Sequence, residues 1–380
     1  MQRSTSRIIT THAGSLARPA ELIDLVRARE IGDSYDTDEL AVAVRAAVSD
    51  VVRSQVSSGV DVVSDGEAGK PGFANYIRDR MTGLVSRERT VRRVFADQGD
   101  FPDFKNPETS TLNSWRVVAT GPITWKDATG IDSDIADFKA ALEGVQVVEA
   151  FMPAISPGTL AQNIVNENYR DEEEFLYSVA DAMKHEYRAI VDAGLLLQID
   201  SPDLAMGKNA QFPDSTVQEF QKIVAMRVDA LNVALDGIPA DRVRHHVCWG
   251  NYEGPHHRDI ELRDIVDIIL SSKVGAIYVE GANPRHGHDW KVFEDVKLPG
   301  DMALVAGVID TKTNIIEHPE LVADRIENYA RLVGRENIIA GTDCGFGTAA
   351  DRTRVSPSIS WAKLKSMSDG AAIATKRLWG

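Results

Sequence analysis

Cysteine is nearly missing from this chain: Cys248 and Cys344 are the only two in 380 residues. Two cysteines cannot build the disulfide framework of a small secreted protein. The first residues, "MQRSTSRIITTHAGS", lack the apolar run of a signal peptide, and no stretch approaches the roughly 20 apolar residues that span a bilayer. A reduced cytoplasmic protein with no membrane partner is expected. Positive charge is also scarce. Lys and Arg total 42 against 57 Asp and Glu, for a net charge of −15. The densest basic run, "RERTVRR" from Arg87 to Arg93, reads as a solvated loop or lid edge, so no nucleic-acid partner is expected. Neither G-x-G-x-x-G nor a P-loop occurs, which removes the usual signature of a doubly wound nucleotide-binding sheet. Internal repeats and a domain boundary are absent as well, so residues 1–380 are read as one catalytic domain.

What is present is apolar and periodic. Eight β-branched runs each end in polar or glycine-rich residues: "RIITTHAGS", "VDVVSDGE", "VQVVEAFMPAISP", "LLLQIDSP", "VRHHVCWGN", "GAIYVEGA", "MALVAGVIDTK" and "NIIAGTDCGFG". Most are separated by helical patterns such as "DEEEFLYSVADAMKHEYRAIVDAG". Continuous apolar strands alternating with helices mean parallel strands buried on both faces, and eight such units predict an α/β fold, a closed (β/α)8 TIM barrel. One segment breaks the repeat. From about Ser86 to Lys126 the chain is first polar and proline-bearing, then apolar in "RVVATGPITW", which predicts an inserted long loop followed by an extra strand.

In such a barrel the chemistry sits at the C-terminal ends of the strands. Residues there include His12, Gly14, Ser15, Asp65, Glu67, Asp200, His246, Cys248, Glu280, Asp310, Lys312, Asp343 and Cys344. Alternate strand residues share a face, so His246 and Cys248 point one way and His245 the other. Cys344 and Glu280 come to the same rim from other strands. Two sulfurs, one imidazole and a carboxylate suit zinc. A lone buried cysteine is usually only a small hydrophobe, but both cysteines of this chain fall at strand ends beside a histidine and a glutamate. His256, His257, His286 and His288 are further loop or rim histidines with no individual assignment.

The motifs "THAGSLARP", "SDGEAGKPGFANYI", "TGPITW", "LLLQIDSPDLA", "HHVCWGN", "YVEGANPR", "GVIDTKT" and "GTDCGFGT" resemble, in order and over nearly the whole chain, the zinc-bearing C-terminal barrel of the cobalamin-independent methionine synthase family. The resemblance implies that His246, Cys248, Glu280 and Cys344 hold zinc. It also implies that Ser15, Glu67 and Asp200 line the pocket for the amino-acid end of a thiol substrate. Ion pairs of Glu67 or Asp200 with Lys70, Arg78 or Lys208 are the alternative. The chain departs from the family's D-E-P with Asp200-Ser201-Pro202, and it carries Lys312 where the classical enzymes have a histidine serving the folate leaving group. The N-terminal barrel of the long enzymes has no counterpart. Short relatives of this kind include core methionine synthases and epoxyalkane:coenzyme M transferases.

The implied chemistry is a zinc-held thiolate attacking an electrophilic carbon: a methyl group destined for homocysteine or a similar thiol or, alternatively, an epoxide opened by coenzyme M. Lys312 is a candidate for stabilising the leaving atom, unless it forms a salt bridge with Asp310 or Asp343. Two carboxylates favour an ammonium-bearing thiol, whereas loss of the folate histidine favours a donor other than methyl-folate. A zinc hydrolase is the rival of another class, and two thiolates suit it poorly. The expected partners are a small thiol and an alkyl donor, and a homo-oligomer is left open.

Overall fold

The computed structural model describes residues 1–88, 95–104, 115–352 and 354–380. Eleven strands occur among them: β1 Ile9–Thr10, β2 Val62–Val63, β3 Leu84–Glu88, β4 Trp115–Ala119, β5 Glu149–Ile155, β6 Ile164–Asn166, β7 Leu196–Asp200, β8 Val243–Val247, β9 Ala276–Val279, β10 Ala303–Ile309 and β11 Ile338–Thr342. Eight of them, in the order β1-β11-β10-β9-β8-β7-β5-β2, form one sheet in which every pair is parallel. These are the eight apolar runs read from the sequence. The ring closes between its outer members: the Asp61 amide donates to the Thr10 carbonyl at 3.2 Å, and Thr11 Oγ1 donates to the Val62 carbonyl at 3.1 Å. The fold is a (β/α)8 barrel.

Helices form where capping chemistry and apolar spacing agree. In α2 (Thr37–Ser57), Asp36 accepts from the amides of Asp38 and Glu39. In α6 (Glu172–Asp192), Asp171 caps a first turn of three glutamates, which suit the positive end of the helix dipole. Helix α8 (Val217–Ala234) begins with a complete Thr216/Glu219 capping box. Pro319 opens α11 (Pro319–Val333) and Gly334 closes it. No helix among the described residues is long and apolar enough to cross a membrane.

Strand alternation divides the interior in two. Leu197, Ile199, Val243 and Val247 face outward into the layer under the helices. Ile9, Val62, Phe151, Leu196, Tyr278, Val305 and Ile339 fill the lumen. Truncating Phe151, which is fully buried there, to alanine is expected to cost about 3–5 kcal/mol. Toward the C-terminal mouth the lumen turns polar, with Gln198, Asp200, Arg244 and His246 all buried. Apolar runs whose inward residues turn polar toward the C-terminal end therefore serve core and site at once.

The inserted segment forms a second sheet. β3 pairs antiparallel with β4, and β4 pairs parallel with β6. The expected extra strand is present but short, ending before Gly121 and Pro122. Residues 95–104 carry the one-turn helix α3 (Ala96–Gly99) and pack on the loop after β8. Phe95 stacks on Tyr252 with ring centroids 4.0 Å apart. Asp97 Oδ2 accepts from Tyr252 Oη at 2.6 Å and the His256 amide at 2.8 Å, while Asp100 binds His257 and Arg258. Most of the basic run at Arg87–Arg93 and the middle of the expected long loop, residues 105–114, lie outside the described residues.

Candidate metal centre

Strand β8 ends in the sequence His246-Val247-Cys248, and alternation delivers the first and third residues to the barrel mouth. The Nε2 or Nδ1 of His246 and the sulfurs of Cys248 and Cys344 all lie within 4.8 Å of one another, and all three residues are buried. The two sulfurs are 3.6 Å apart. His245 points the other way, between Ser201 and Ser272, where burial pushes its pKa down to about 3. Its ring is a neutral part of the packing.

The trio is held from behind. Asp200 Oδ1 lies 2.8 Å from His246 Nδ1. A carboxylate can only accept, so that nitrogen carries the proton and Nε2 is left for a metal, the arrangement found around ligating histidines. The Gly250 amide donates to Cys248 Sγ at 3.2 Å. Beside Cys344, the Asp343 carboxylate accepts from the amides of Gly281, Ala282 and Asn283 at 2.8–2.9 Å and from Asn283 Nδ2 at 2.7 Å. It reaches that loop because Gly307 of the intervening β10 has no side chain; a Cβ there would run into Asp343 Oδ1.

Glu280 is at the rim but outside the trio. Its Oε1 accepts from the Trp249 amide at 2.8 Å, and its Oε2 from Asn283 Nδ2 at 2.7 Å and Lys312 Nζ at 2.8 Å. Burial pushes this carboxyl up, yet the charges of Lys312 and His286 and the bond from Lys312 outweigh burial and hold it at about 2. The same pairing raises the Lys312 ammonium despite its burial. Lys312 therefore makes a salt bridge, but with Glu280; Asp310 accepts only from its backbone amide. The thiols are tightly coupled. Their mutual hydrogen bond raises Cys248 and lowers Cys344, so one proton of the pair is held far more firmly than the other. Two buried sulfurs beside an imidazole fit a thiophilic dication such as zinc.

The opposite side of the mouth comes from β1 and β2. His12 Nδ1 accepts from the Gly14 amide, and its Nε2 meets Gln55 Oε1 at 2.6 Å; burial pushes its pKa down to about 3. Gly14 has φ +124°, and any Cβ there would press on Glu67 Oε1 and Pro153. Ser15 is buried against Gly345, next to Cys344. Glu67 is held at φ 55°, a strained conformation for a side-chain-bearing residue. Its Oε2 is buried with no hydrogen-bond partner. Burial, with Asp200 and Asp65 adding to it against Lys70 and Arg18, raises its pKa to about 7. The alternative ion pairs are not formed. Lys70 donates to the Pro153 carbonyl, Arg78 to Glu30 and Asp79, and Lys208 to the Pro213 carbonyl.

The sequence reading missed Asn283, Trp249, Gln198 and Arg244. The last was detectable, since it lies two residues before His246 and so on the same face. His256 and His286 join through Asp259 Oδ2. His286 is raised to about 9 by that carboxylate and Asp289 against burial, and its ring packs on Trp249 at 4.3 Å. His257 and His288 sit in exposed ion pairs.

Comparison with known proteins agrees with this architecture. The methionine synthase of Saccharolobus solfataricus is 26% identical over 373 residues, covering 97% of this chain and 95% of that protein. That of Thermococcus kodakarensis is 24% identical over 97% of this chain and 94% of its own. Among solved structures, a B12-independent methionine synthase from a Shewanella species, in complex with selenomethionine, superposes with TM-score 0.75 at 19% identity, covering 98% of this chain and 99% of the other. Residues 154–372 match the catalytic domain of the cobalamin-independent synthases, a span that includes all three trio residues, Glu280 and Lys312, and the chain belongs to that family.

Proposed function

We propose that the protein is a zinc-dependent transferase that alkylates a thiol, most simply by methionine-synthase-like methyl transfer to homocysteine or a close analogue. The observation that carries this reading is the juxtaposition of a buried thiol–thiol–imidazole trio with a strained, buried carboxylate that has an unpartnered oxygen, Glu67. His246, Cys248 and Cys344 would hold the ion, with Glu280 as a fourth donor within the same rim. When bound, zinc supplies the acidity that makes a thiol a thiolate at neutral pH. The remaining work falls to the chain. Glu67 receives an ammonium group, losing its own proton as it does so. Ser15, beside Gly345, receives the carboxylate end. Asp200 keeps His246 in the ligating tautomer and adds negative potential on the ammonium side. Lys312, kept protonated by Glu280, offers a cation where negative charge develops on a leaving atom.

The names of the similar proteins from Saccharolobus and Thermococcus favour methyl transfer over epoxide opening. So does the charge of the pocket: Glu67 and Asp200 would repel the sulfonate of coenzyme M. A hydrolase ranks below both, because two thiolates leave a bound zinc less acidic.

The test is metal content with thiol titration. Atomic emission should find about one zinc per chain in the parent and none in Cys248→Ser. Calorimetry at several pH values should show homocysteine binding with proton exchange, and no comparable binding of coenzyme M. A parent without metal, or with metal and no affinity for any thiol, overturns the proposal.

A further inference from the structure

One buried charged group in the barrel lumen has no role in the reading above. Arg244 lies in the lumen on β8, is 2% exposed, and makes no ion pair among the described residues. A buried cation without a carboxylate partner costs several kcal/mol in general. Its hydrogen bonds nonetheless run in definite directions. Nη1 donates to Thr11 Oγ1 at 2.9 Å, Nη2 to the His12 carbonyl at 2.9 Å, and Nε to Gln198 Oε1 at 2.8 Å. The guanidinium also stacks over Phe151, 3.7 Å from its ring centroid.

The bond to Gln198 has a consequence. Arginine only donates, so it fixes Gln198 with its oxygen toward the arginine and its NH2 toward the mouth. That NH2 donates to the Ala13 carbonyl at 2.6 Å and to Asp200 Oδ1 at 2.8 Å. Asp200 Oδ1 is the atom that accepts from His246 Nδ1. The chain Arg244–Gln198–Asp200–His246 therefore has every donor and acceptor assigned: Arg244 donates to Gln198, and Gln198 and His246 both donate to the same Asp200 oxygen. A flipped Gln198 would set its oxygen against the Asp200 carboxylate and its NH2 against the guanidinium.

We propose that Arg244 and Gln198 are positioning residues for the metal ligand His246, acting through Asp200, and that Arg244 also fixes the β1 end that carries Ser15. Arg244 grips the His12 carbonyl. His12 in turn accepts from the Gly14 amide and so shapes the Gly14-Ser15 turn. One buried guanidinium thus sets both the imidazole of the metal trio and the turn that would receive the thiol's carboxylate. This inference rests on the metal reading of the trio.

The experiment compares the full-length parent with Arg244→Met, Gln198→Met and the double variant. The readouts are zinc affinity by chelator competition, the visible spectrum of the cobalt(II)-substituted proteins, and melting of the metal-free proteins. Each single variant should weaken zinc binding about 10–100-fold, the range for partners behind a ligating histidine. Each should also shift the cobalt bands, and the double variant should be no weaker than the worse single one, because the residues act in series. Gln198→Met preserves side-chain length and carries the test alone if Arg244→Met does not fold. Variants that melt lower without metal but keep parental zinc affinity and cobalt spectrum make the pair mere packing and overturn the proposal. A parent that holds no zinc overturns the metal reading itself, and this inference with it.

Discussion

The two sides of the barrel mouth are built on opposite principles. On the β8–β9–β11 side every carboxylate is saturated: Asp343 takes four N–H donors and Glu280 three. On the β1–β2 side Glu67 sits at positive φ with a bare buried oxygen and a pKa pushed up to about 7. The first side is organised by the chain itself, so the proposed metal would find its ligands set before any substrate arrives. The second stores strain and an unmet hydrogen bond, which a ligand ammonium can relieve.

That contrast predicts a graded set of failures. The largest belongs to the metal side. Cys344→Ser should abolish zinc retention and lower turnover on the order of 10³-fold, read by atomic emission and steady-state rates. If zinc is retained at parental stoichiometry, the trio is not the metal site.

Next comes Lys312→Met. It leaves Glu280 buried and short of its cation, which should cost the metal-free protein about 3–5 kcal/mol. Zinc can then take over as partner, so the rise in melting temperature on adding zinc should exceed that of the parent. An unchanged rise would mean that Glu280 does not approach the metal.

Glu67→Gln tests the other side. The loss of a buried charge partner should weaken homocysteine binding by about 2–5 kcal/mol while zinc content stays fixed. A change in zinc content would erase the distinction between the two sides. The same variant carries a pH signature. Glu67 is raised from its ordinary 4.5 to about 7 in the fold. Between those values the folded chain keeps a proton that the unfolded chain has lost, so this residue makes stability fall as pH rises through that window. Glu67→Gln should remove that share of the slope in denaturation curves measured from pH 4.5 to 7.

The smallest effect is expected away from both sides. Asp97→Asn weakens the bonds that pin residues 95–104 to Tyr252 and His256, for about 1–3 kcal/mol of local stability. Faster proteolysis near Phe101 with unchanged zinc affinity is the expected result. Altered zinc affinity would mean the segment supports the metal side.

The sequence made some of this legible through period alone. Eight apolar runs announce eight strands, and the two-residue step from His246 to Cys248 puts both on one face. The same step back to Arg244, and from Asp200 to Gln198, was equally available, yet residues inside an apolar run read as core. The Asp343 link to the β9 loop was not available. It spans a neighbouring strand and depends on Gly307 being bare, a three-strand relation with no local signal. Nor does spacing tell whether Glu280 turns to sulfur or to Lys312; the Trp249 amide, Asn283 and Lys312 hold it in their direction. The resemblance implies that Glu67 lines the pocket, but its strain and its bare oxygen are tertiary facts.

The strand order has a further consequence in time. Among the described strands, β11, the last in sequence, lies between β1, the first, and β10. Cys344 lies two residues past its end, so the sulfur pair cannot come together until synthesis has passed β11, whose pairing with β1 is of very long sequence separation. Such contacts form late. A nascent chain thus exposes Cys248 without its partner for the interval needed to make the next 96 residues, and on the proposed reading metal loading would report that the barrel is complete.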